Sequence, residues 1–150
     1  MKDNYGISSV NKVRQLRKKA RYDKATVHAI LDAGLVAHVA FAQEEAPVVV
    51  PMIYGRVDET LYLHGARKAR VIRLLERTDR ACLNVTLLDG IVFARSAFNS
   101  SMNYRSVTVF GSPQLSTIPI PSSRPCAQSL NSRCRDAGTN CARRTSGRSR

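Results

Sequence analysis

Residues 80–111 read RACLNVTLLDGIVFARSAFNSSMNYRSVTVFG and decide the predicted fold. Two runs of alternating apolar residues lie on either side of the dipeptide Asp89-Gly90. Because this dipeptide readily takes the positive φ angles of a two-residue turn, the pattern predicts a β-hairpin. After a polar break at 99–103, residues 105–110 alternate again and predict a third strand.

Pairing outward from the predicted turn, where Leu88 faces Ile91, gives the hairpin two unlike faces. One face is apolar or small, and its predicted pairs are Leu87 with Val92, Val85 with Ala94, and Leu83 with Ser96. The other face is mixed, and its predicted pairs are Thr86 with Phe93 and Asn84 with Arg95. Because only one face is dry, the pattern favours the wall of a sandwich or barrel over the middle of a parallel sheet.

The chain has 150 residues, a one-domain length, and a formal net charge of +13. A chain of this size buries roughly 70% of its unfolded surface and needs no disulfides to fold. The charge lies at the ends, since residues 1–24 hold eight Lys or Arg against two Asp and residues 112–150 hold seven Arg against one Asp. Basic termini can bind nucleic acid, but the chain has no Trp and no helix-turn-helix, zinc-finger or aromatic RNA-binding pattern. Nucleic-acid binding is therefore the less favoured interpretation.

The sequence also predicts the compartment. No run approaches the roughly 20 apolar residues of a membrane helix, and the N-terminus lacks the apolar stretch of a secretory signal. We therefore expect a cytoplasmic protein with no membrane contact. The cysteines have neither C-x-x-C spacing nor nearby histidines, so no metal site is predicted. Cys82 is interpreted as a strand residue, and Cys126, Cys134 and Cys141 as accidental.

The chain begins with a basic segment and a short helix. Residues 1–22 have few spaced apolar positions, so we expect a basic N-terminal arm that is extended or frayed. Asp23 suits an N-cap, and the apolar residues that follow it share one helical face, which predicts a helix over about 24–33. Gly34 is expected to end this helix in the left-handed conformation.

Three further strands are predicted before the next helix. Residues 35–42 and 48–54 alternate on either side of a polar break, which predicts a second hairpin. Pro51 interrupts its second strand and, because proline cannot donate to a ladder, marks an edge or a bulge. Backbone freed there could hydrogen-bond a ligand, and a plain edge strand is the alternative. Residues 61–64 form the next strand, which ends at Gly65.

The segment ARKARVIRLLE at 66–76 combines a helical apolar face with cations at its start. Arg67, Lys68 and Arg70 lie in or near the predicted first turn, where the helix dipole disfavours each cation by roughly 0.3–1 kcal/mol. A bound anion would compensate, since helix N-termini bind phosphate and the preceding Gly65 allows a close approach. The alternative is a solvated basic helix end.

In their order and motifs, these segments resemble the FMN-binding split-barrel proteins related to pyridoxamine 5'-phosphate oxidase, close to the nitroimidazole-reductase-like branch. The resemblance is carried by YDKATVHAILDAGLVAHVAF at 22–41, VPMIYGR at 50–56, LYLHG at 61–65 and TLLDGIVFARSAFNSSMNYRSVTVFG at 86–111. It implies a mainly β domain over residues 23–111, built as a six-stranded split β-barrel. It also implies a homodimer that holds two FMN molecules between its subunits.

The resemblance further implies which residues contact the cofactor. The Pro51–Tyr54 strand and the His64-Gly65 turn would contact the isoalloxazine and ribityl chain, and Ser101–Tyr104 would line the pocket from a neighbouring wall. The basic helix start would hold the phosphate. The implied cofactor-binding residues are Pro51, Met52, Ile53, Tyr54, His64, Gly65, Arg67, Lys68, Arg70, Ser101, Asn103 and Tyr104.

These inferences together predict an FMN-dependent oxidoreductase. The flavin would carry the redox chemistry, and the protein would bind and orient it, so no side chain is assigned as catalytic. The alternatives are a non-catalytic flavin or haem binder and a basic nucleic-acid-associated protein.

Residues 112–150 differ in composition from the rest of the chain. They contain no Val, Phe, Tyr or Trp, seven Arg without Lys, and three Cys. Because no apolar period offsets an ordering entropy of about 1–2 kcal/mol per residue, we expect this segment to be disordered. One interpretation is an arginine-rich arm for RNA or an acidic surface. The favoured one is loss of the native reading frame near Gly111–Pro113, which predicts a truncated barrel.

Overall fold

The structure is a computed structural model that describes residues 3–115 and the backbone of residues 129–142. Two α-helices, seven strands and two short 3-10 helices make up these residues. The elements are β1 (Ala20–Arg21), α1 (Lys24–Ala33), β2 (Val36–Gln43), β3 (Ala46–Val57), β4 (Thr60–His64), α2 (Arg70–Leu75), β5 (Ala81–Val92), β6 (Ser101–Leu115) and β7 (Ser129–Ala142), with 3-10 helices at Arg17–Lys19 and Ala97–Asn99. Neither of the two α-helices in this part of the chain has the length and apolar character to cross a membrane.

Strands β2 to β7 close into a barrel. Hydrogen-bonded neighbours follow the order β4, β3, β2, β5, β6 and β7, and β7 pairs with β4 again. Every pairing is antiparallel, and the two-residue β1 adds to β7. The predicted mainly β, six-stranded split barrel is therefore confirmed.

The predicted hairpin at Asp89-Gly90 is wrong. β5 continues through this dipeptide to Val92, and the chain turns back only in the loop of residues 93–100. Asp89 is an extra residue in the ladder, because the register shifts between Leu88 and Gly90. The dipeptide forms a β-bulge, and none of the glycines has a positive φ in the part of the chain described here.

The long β5–β6 pair is favoured because it brings two apolar stripes together. Leu83 lies opposite Val109 and Val85 opposite Val107, and all four side chains are buried. A turn at residue 89 would pair these β5 residues with Ser96 and Ala94 instead, and much less apolar area would be buried. Burial at roughly 25 cal/mol per Å² outweighs the local turn preference.

The strand faces themselves were predicted correctly. On β5, Leu83 and Val85 point into the core, whereas the Asn84 side chain lies outside and donates to Ser106 Oγ and Thr108 Oγ1 at 3.1 and 3.0 Å. Cys82 lies on the same strand, as predicted, and is a free thiol. Phe93 and Arg95, which the prediction placed on the mixed face, lie beyond the end of β5.

Helix α1 begins and ends where the sequence predicts. The carboxylate of Asp23 accepts a hydrogen bond from the Thr26 backbone N–H at 2.9 Å, as an N-cap does. Gly34 is not left-handed, since its φ is −83° and its ψ 151°. Glycine is required there for space instead, because an added Cβ would lie 2.5 Å from the Tyr54 hydroxyl and 2.6 Å from Val85 Cγ1.

The basic N-terminal segment is not frayed. Tyr5 is only 8% exposed and belongs to the hydrophobic core. Its hydroxyl donates to Glu59 Oε2 at 2.6 Å and lies 3.0 Å from His28 Nε2. The segment therefore packs against α1 and the β3–β4 turn, because one aromatic residue supplies both apolar area and a polar anchor.

The predicted boundary at residue 112 is also corrected. Residues 112–115 continue β6, and the backbone of Ser129–Ala142 forms β7 instead of a disordered tail. A strand between β4 and β6 has ladder partners on both sides, so backbone hydrogen bonds supply the stabilisation that its composition lacks. Residues 116–128 and 143–150 of the predicted tail lie outside the described part, and the loss of reading frame stays a prediction.

Candidate functional site

One edge of β3 lies open. β2 pairs with β3 along Ala46–Ile53, but β4 pairs with β3 only from Tyr54 to Val57. Among the residues that the structure describes, Pro47–Ile53 therefore has a strand neighbour on one side only. Pro51 lies at a sheet edge, as its sequence position predicted, and causes no register shift.

The backbone groups that face this open edge can be identified. The Tyr54 N–H donates to the Leu35 carbonyl at 3.3 Å, on the β2 side. Because the direction alternates along a strand, the odd-numbered residues from 47 to 53 direct their N–H and C=O groups away from β2. Two of these four residues, Pro47 and Pro51, are prolines. Because the Pro51 nitrogen faces away from β2, its missing N–H breaks no hydrogen bond of the β2–β3 ladder. Val49 leaves one N–H and one C=O at the edge, and Ile53, which borders the β3–β4 ladder, leaves its N–H.

A cationic segment runs beside the open edge. An added Cβ at Gly65 would lie 3.3 Å from Met52 Cε, which places the start of the segment against the middle of β3. Farther along, Arg70 donates to Gln43 Oε1 at 3.2 Å, at the tip of the β2–β3 hairpin. Residues 65–70, which we call the cationic segment, therefore approach β3 at Met52 and the tip of the β2–β3 hairpin at Gln43.

The cations lie mostly before the helix rather than in its first turn. α2 has six residues and begins at Arg70, and Arg67 and Lys68 lie in a turn closed by the Ala69 N–H and the Ala66 carbonyl at 2.7 Å. No carboxylate of the described residues is within ion-pair distance of Arg67 or Lys68. The turn presents uncompensated positive charge.

A groove lies on the far side of the same turn. It has a volume of about 920 Å³ and lies between α2 and the end of β6. Three cations and one acid, Arg67, Lys68, Arg73 and Glu76, line one side, and Pro113, Gln114 and Leu115 line the other. Sequence analysis missed Gln43, because its partner Arg70 is distant in sequence. It also missed Arg73, which donates to the Lys68 carbonyl at 3.0 Å.

His64 carries a polar atom without a partner. Its Nδ1 is buried, and among the residues described here no group hydrogen-bonds to it. The residue ends β4, directly before Gly65 and the cationic segment. A buried imidazole nitrogen that lacks a partner costs stability, so a bound group that satisfies it would be favoured.

Two of the predicted contact residues are core residues. Met52 and Tyr54 are buried, and the Tyr54 hydroxyl donates to the Leu31 carbonyl at 2.6 Å. Burial, with a smaller effect of Asp32, raises the pKa of Tyr54 to about 12. Their side chains therefore support the strand, whereas the neighbouring Pro51 and Ile53 are exposed at the edge.

Ser101, Asn103 and Tyr104 do not join these residues within one chain. They lie at the start of β6, which is separated from β3 by β2 and β5. Through those strands Pro51 is in register with Thr108, four residues beyond Tyr104, a displacement of roughly 14 Å along the strand. Within the described part of one chain, this stretch therefore lies apart from the β3 edge.

The outer face of the sheet carries several exposed apolar side chains. Ile53 is 56% exposed and Val49 60% exposed on the outward side of β3. Val36 on β2 and Leu88 on β5 are exposed on the same side. Contiguous exposed apolar residues of this kind mark interaction surfaces.

Comparison with known proteins identifies a family match. Residues 23–123 match the family model described as pyridoxamine 5'-phosphate oxidase. No protein with a curated description matches the chain.

Solved structures are also similar to the chain. The flavocytochrome Anf3 from Azotobacter vinelandii has a TM-score of 0.74 and 31% identity, over 91% of this chain and 75% of that one. The FAD and haem binding protein from Mycobacterium smegmatis has a TM-score of 0.69 and 25% identity, over 83% and 73% of the two chains. A putative 5-nitroimidazole antibiotic resistance protein from Bacteroides thetaiotaomicron shares the fold, with a TM-score of 0.60 and 20% identity over 80% and 84%.

Proposed function

The chain belongs to the pyridoxamine 5'-phosphate oxidase family, and on this premise we propose that it is an FMN-binding oxidoreductase. The observation that carries the proposal is the open edge of β3 beside the cationic segment. A flavin nucleotide has hydrogen-bonding groups on a flat ring at one end and a phosphate at the other. The bound flavin would supply the redox chemistry, and the protein would supply binding and orientation.

Charge and position support the cationic segment as the phosphate site. Arg67 and Lys68 have no carboxylate partner among the described residues, and the hydrogen bond to Gln43 holds the Arg70 guanidinium at the same edge. Phosphate held by arginine and lysine gains charge-assisted hydrogen bonds. The backbone groups of Val49 and Ile53 would then face the ring system.

The site is completed by a second copy of the chain in this proposal. Ser101, Asn103 and Tyr104 lie on a strand remote from the β3 edge of their own chain. The exposed apolar face around Val49 and Ile53 would be covered by the partner in a homodimer. Both observations support a cofactor site at a subunit interface.

Two similar proteins are described as a flavocytochrome and as an FAD and haem binding protein. These descriptions support a flavin as the cofactor, and FMN is our more specific proposal.

The same descriptions favour a second candidate function, haem binding. The observation in this chain is His64, whose buried Nδ1 has no partner among the described residues. Haem iron is commonly held by a histidine, and a bound group would give the buried imidazole of His64 the partner it lacks. The absorption spectrum separates the two, because haem gives an intense Soret band that His64→Ala should abolish.

The test is the purified full chain. We expect a yellow protein that releases FMN on denaturation, identified by chromatography against FAD. Arg70→Ala should weaken FMN affinity roughly ten- to a hundredfold, since a hydrogen bond to a charged group contributes about 1.5–3 kcal/mol. Arg77→Ala, an exposed arginine beyond the end of α2, is the matched control. Absence of any flavin, or equal affinity in both variants, would contradict the proposal.

A further inference from the structure

The N-terminal segment encloses a second basic groove. It has a volume of about 490 Å³ and lies outside the barrel strands. Among the residues that the structure describes, no acidic side chain lines it. The lining residues are Ile7, Ser8, Ser9, Lys12, Arg14 and Arg17.

The backbone around this groove is fixed by a buried asparagine. Asn11 is 5% exposed, and its side chain accepts from the Ser8 N–H at 2.7 Å and donates to the Gly6 carbonyl at 2.8 Å. The Asn11 N–H in turn donates to Ser8 Oγ at 3.3 Å. Tyr22 fixes the other side, since its hydroxyl accepts from the Val13 N–H at 2.8 Å. The groove is therefore formed by an ordered loop and not by a flexible arm.

The charges on this loop are uncompensated. Lys12, Arg14 and Arg17 form no ion pair with any carboxylate in the described part of the chain. Leu16, between the two arginines, is left-handed with a φ of 50°, and Arg14 and Arg17 on either side of it line one groove. Three cations around one groove repel each other in the free protein, and a bound anion would relieve that repulsion.

We propose that this groove binds the di- or triphosphate group of a nucleotide. Its volume lies in the range of small-molecule pockets. Two arginines and a lysine can share the several phosphate oxygens of such a group, and the exposed hydroxyl of Ser9 adds a donor. No aromatic side chain of the described part lines the groove, which therefore offers none of the stacking surface with which proteins bind single-stranded nucleic acid. The proposal does not depend on flavin binding.

Calorimetric titration of the full chain with pyrophosphate, ATP and a poly(U) oligonucleotide tests this site. Pyrophosphate and ATP should bind, and the double variant R14A/R17A should weaken both by at least about tenfold, because it removes charge-assisted hydrogen bonds. The matched control is K18A/K19A, which removes the same charge from neighbouring residues outside the groove. The control should change affinity by less than about twofold, since exposed charges interact weakly at a distance.

Three results would overturn the proposal: no binding of pyrophosphate or ATP to the wild-type chain, an equal loss in both double variants, or tighter binding of poly(U) than of ATP. The last would indicate a nucleic-acid surface. R14K/R17K keeps the charge and should retain part of the affinity, so a folding defect in R14A/R17A would not prevent a decision. Thermal melting of each variant identifies such a defect.

Discussion

Asp89 accepts hydrogen bonds from Arg105 Nε and Nη2 at 3.0 and 2.7 Å, across the β5–β6 pair and at the residue where β5 bulges. The bulge turns the Asp89 side chain toward a partner sixteen residues away.

Gly90, the residue after Asp89, has no positive φ and has open space where a Cβ would lie. We therefore predict that Gly90→Ala stabilises the protein by about 0.4–1 kcal/mol, because alanine restricts the unfolded chain.

Urea unfolding of Gly90→Ala and of Gly34→Ala measures this difference. Gly34→Ala is the opposite case, since its Cβ would overlap the Tyr54 hydroxyl and Val85, and it should lose about 1–3 kcal/mol. Alanine is strained at a positive φ, so a loss of more than about 1 kcal/mol in Gly90→Ala would indicate that Asp89-Gly90 forms the left-handed turn predicted from the sequence.

The comparison at this bulge shows which sequence signals determine the fold. Alternation placed Leu83 and Val85 on the buried face correctly, because the period of two holds in any register. The turn position was wrong, because Asp-Gly is a local signal and the Arg105 partner of Asp89 is not. Tyr5 was missed for the same reason, since one aromatic residue in a basic segment forms no pattern.

The candidate site was partly predictable. Pro51 marked the open edge because proline lacks the donor that a paired strand needs. The cations at 67–70 were visible as a charge conflict, although α2 begins only at Arg70. The role of Gln43 was not predictable, because it depends on how α2 packs beside the β2–β3 hairpin.

Tyr54→Phe should destabilise the protein at neutral pH. It leaves the Leu31 carbonyl, in the last turn of α1, without its donor, at a cost of about 1–3 kcal/mol. The folded pKa of Tyr54 is about 12, above its ordinary value of 10. Because the folded pKa is raised, the hydroxyl's contribution is complete below pH 10 and is lost as the pH rises toward 12.

The stability difference between wild type and Tyr54→Phe should therefore shrink by roughly 2–3 kcal/mol between pH 10 and 12. Urea unfolding of both proteins at several alkaline pH values measures this stability difference. The other tyrosines and the lysines are the same in both proteins, so their contributions cancel. A difference that stays constant across this range would contradict the raised pKa of Tyr54.

Glu59 should make the N-terminal packing sensitive to acid. Burial alone would raise the pKa of Glu59, but hydrogen bonds from Tyr5 and Lys24 outweigh it, and the pKa is lowered. Because the folded pKa is depressed, this stabilisation is present above the ordinary glutamate value and is lost as the pH falls through the folded value. The carboxylate is partly exposed and screened, so we expect less than about 1 kcal/mol.

The measurement is the stability of wild type relative to Glu59→Gln from neutral to acidic pH. The difference should decline toward zero on acidification. Glu45→Gln is the control, because Glu45 lies exposed in the β2–β3 turn and has no ion pair among the described residues. Parallel behaviour of the two variants would argue against a specific role for Glu59.

Ile53→Asp tests whether the exposed face of β3 is the proposed dimer interface. The side chain is 56% exposed and points away from the core, so the chain should still fold, and thermal melting checks this. A charge buried between two subunits costs several kcal/mol, enough to shift a micromolar dimer to monomer. Sedimentation should then show a monomer for Ile53→Asp and a dimer for wild type.

Leu16→Asp is the matched control, because Leu16 is also an exposed aliphatic residue, at 66%, but lies in the N-terminal segment, away from this face. The dimer should survive in that variant. Flavin affinity provides a second readout, because in the proposed dimer Ser101, Asn103 and Tyr104 reach the β3 edge of the partner. Ile53→Asp should therefore lose flavin affinity together with its partner subunit. A monomer that binds flavin as tightly as wild type would show that the site is complete within one chain.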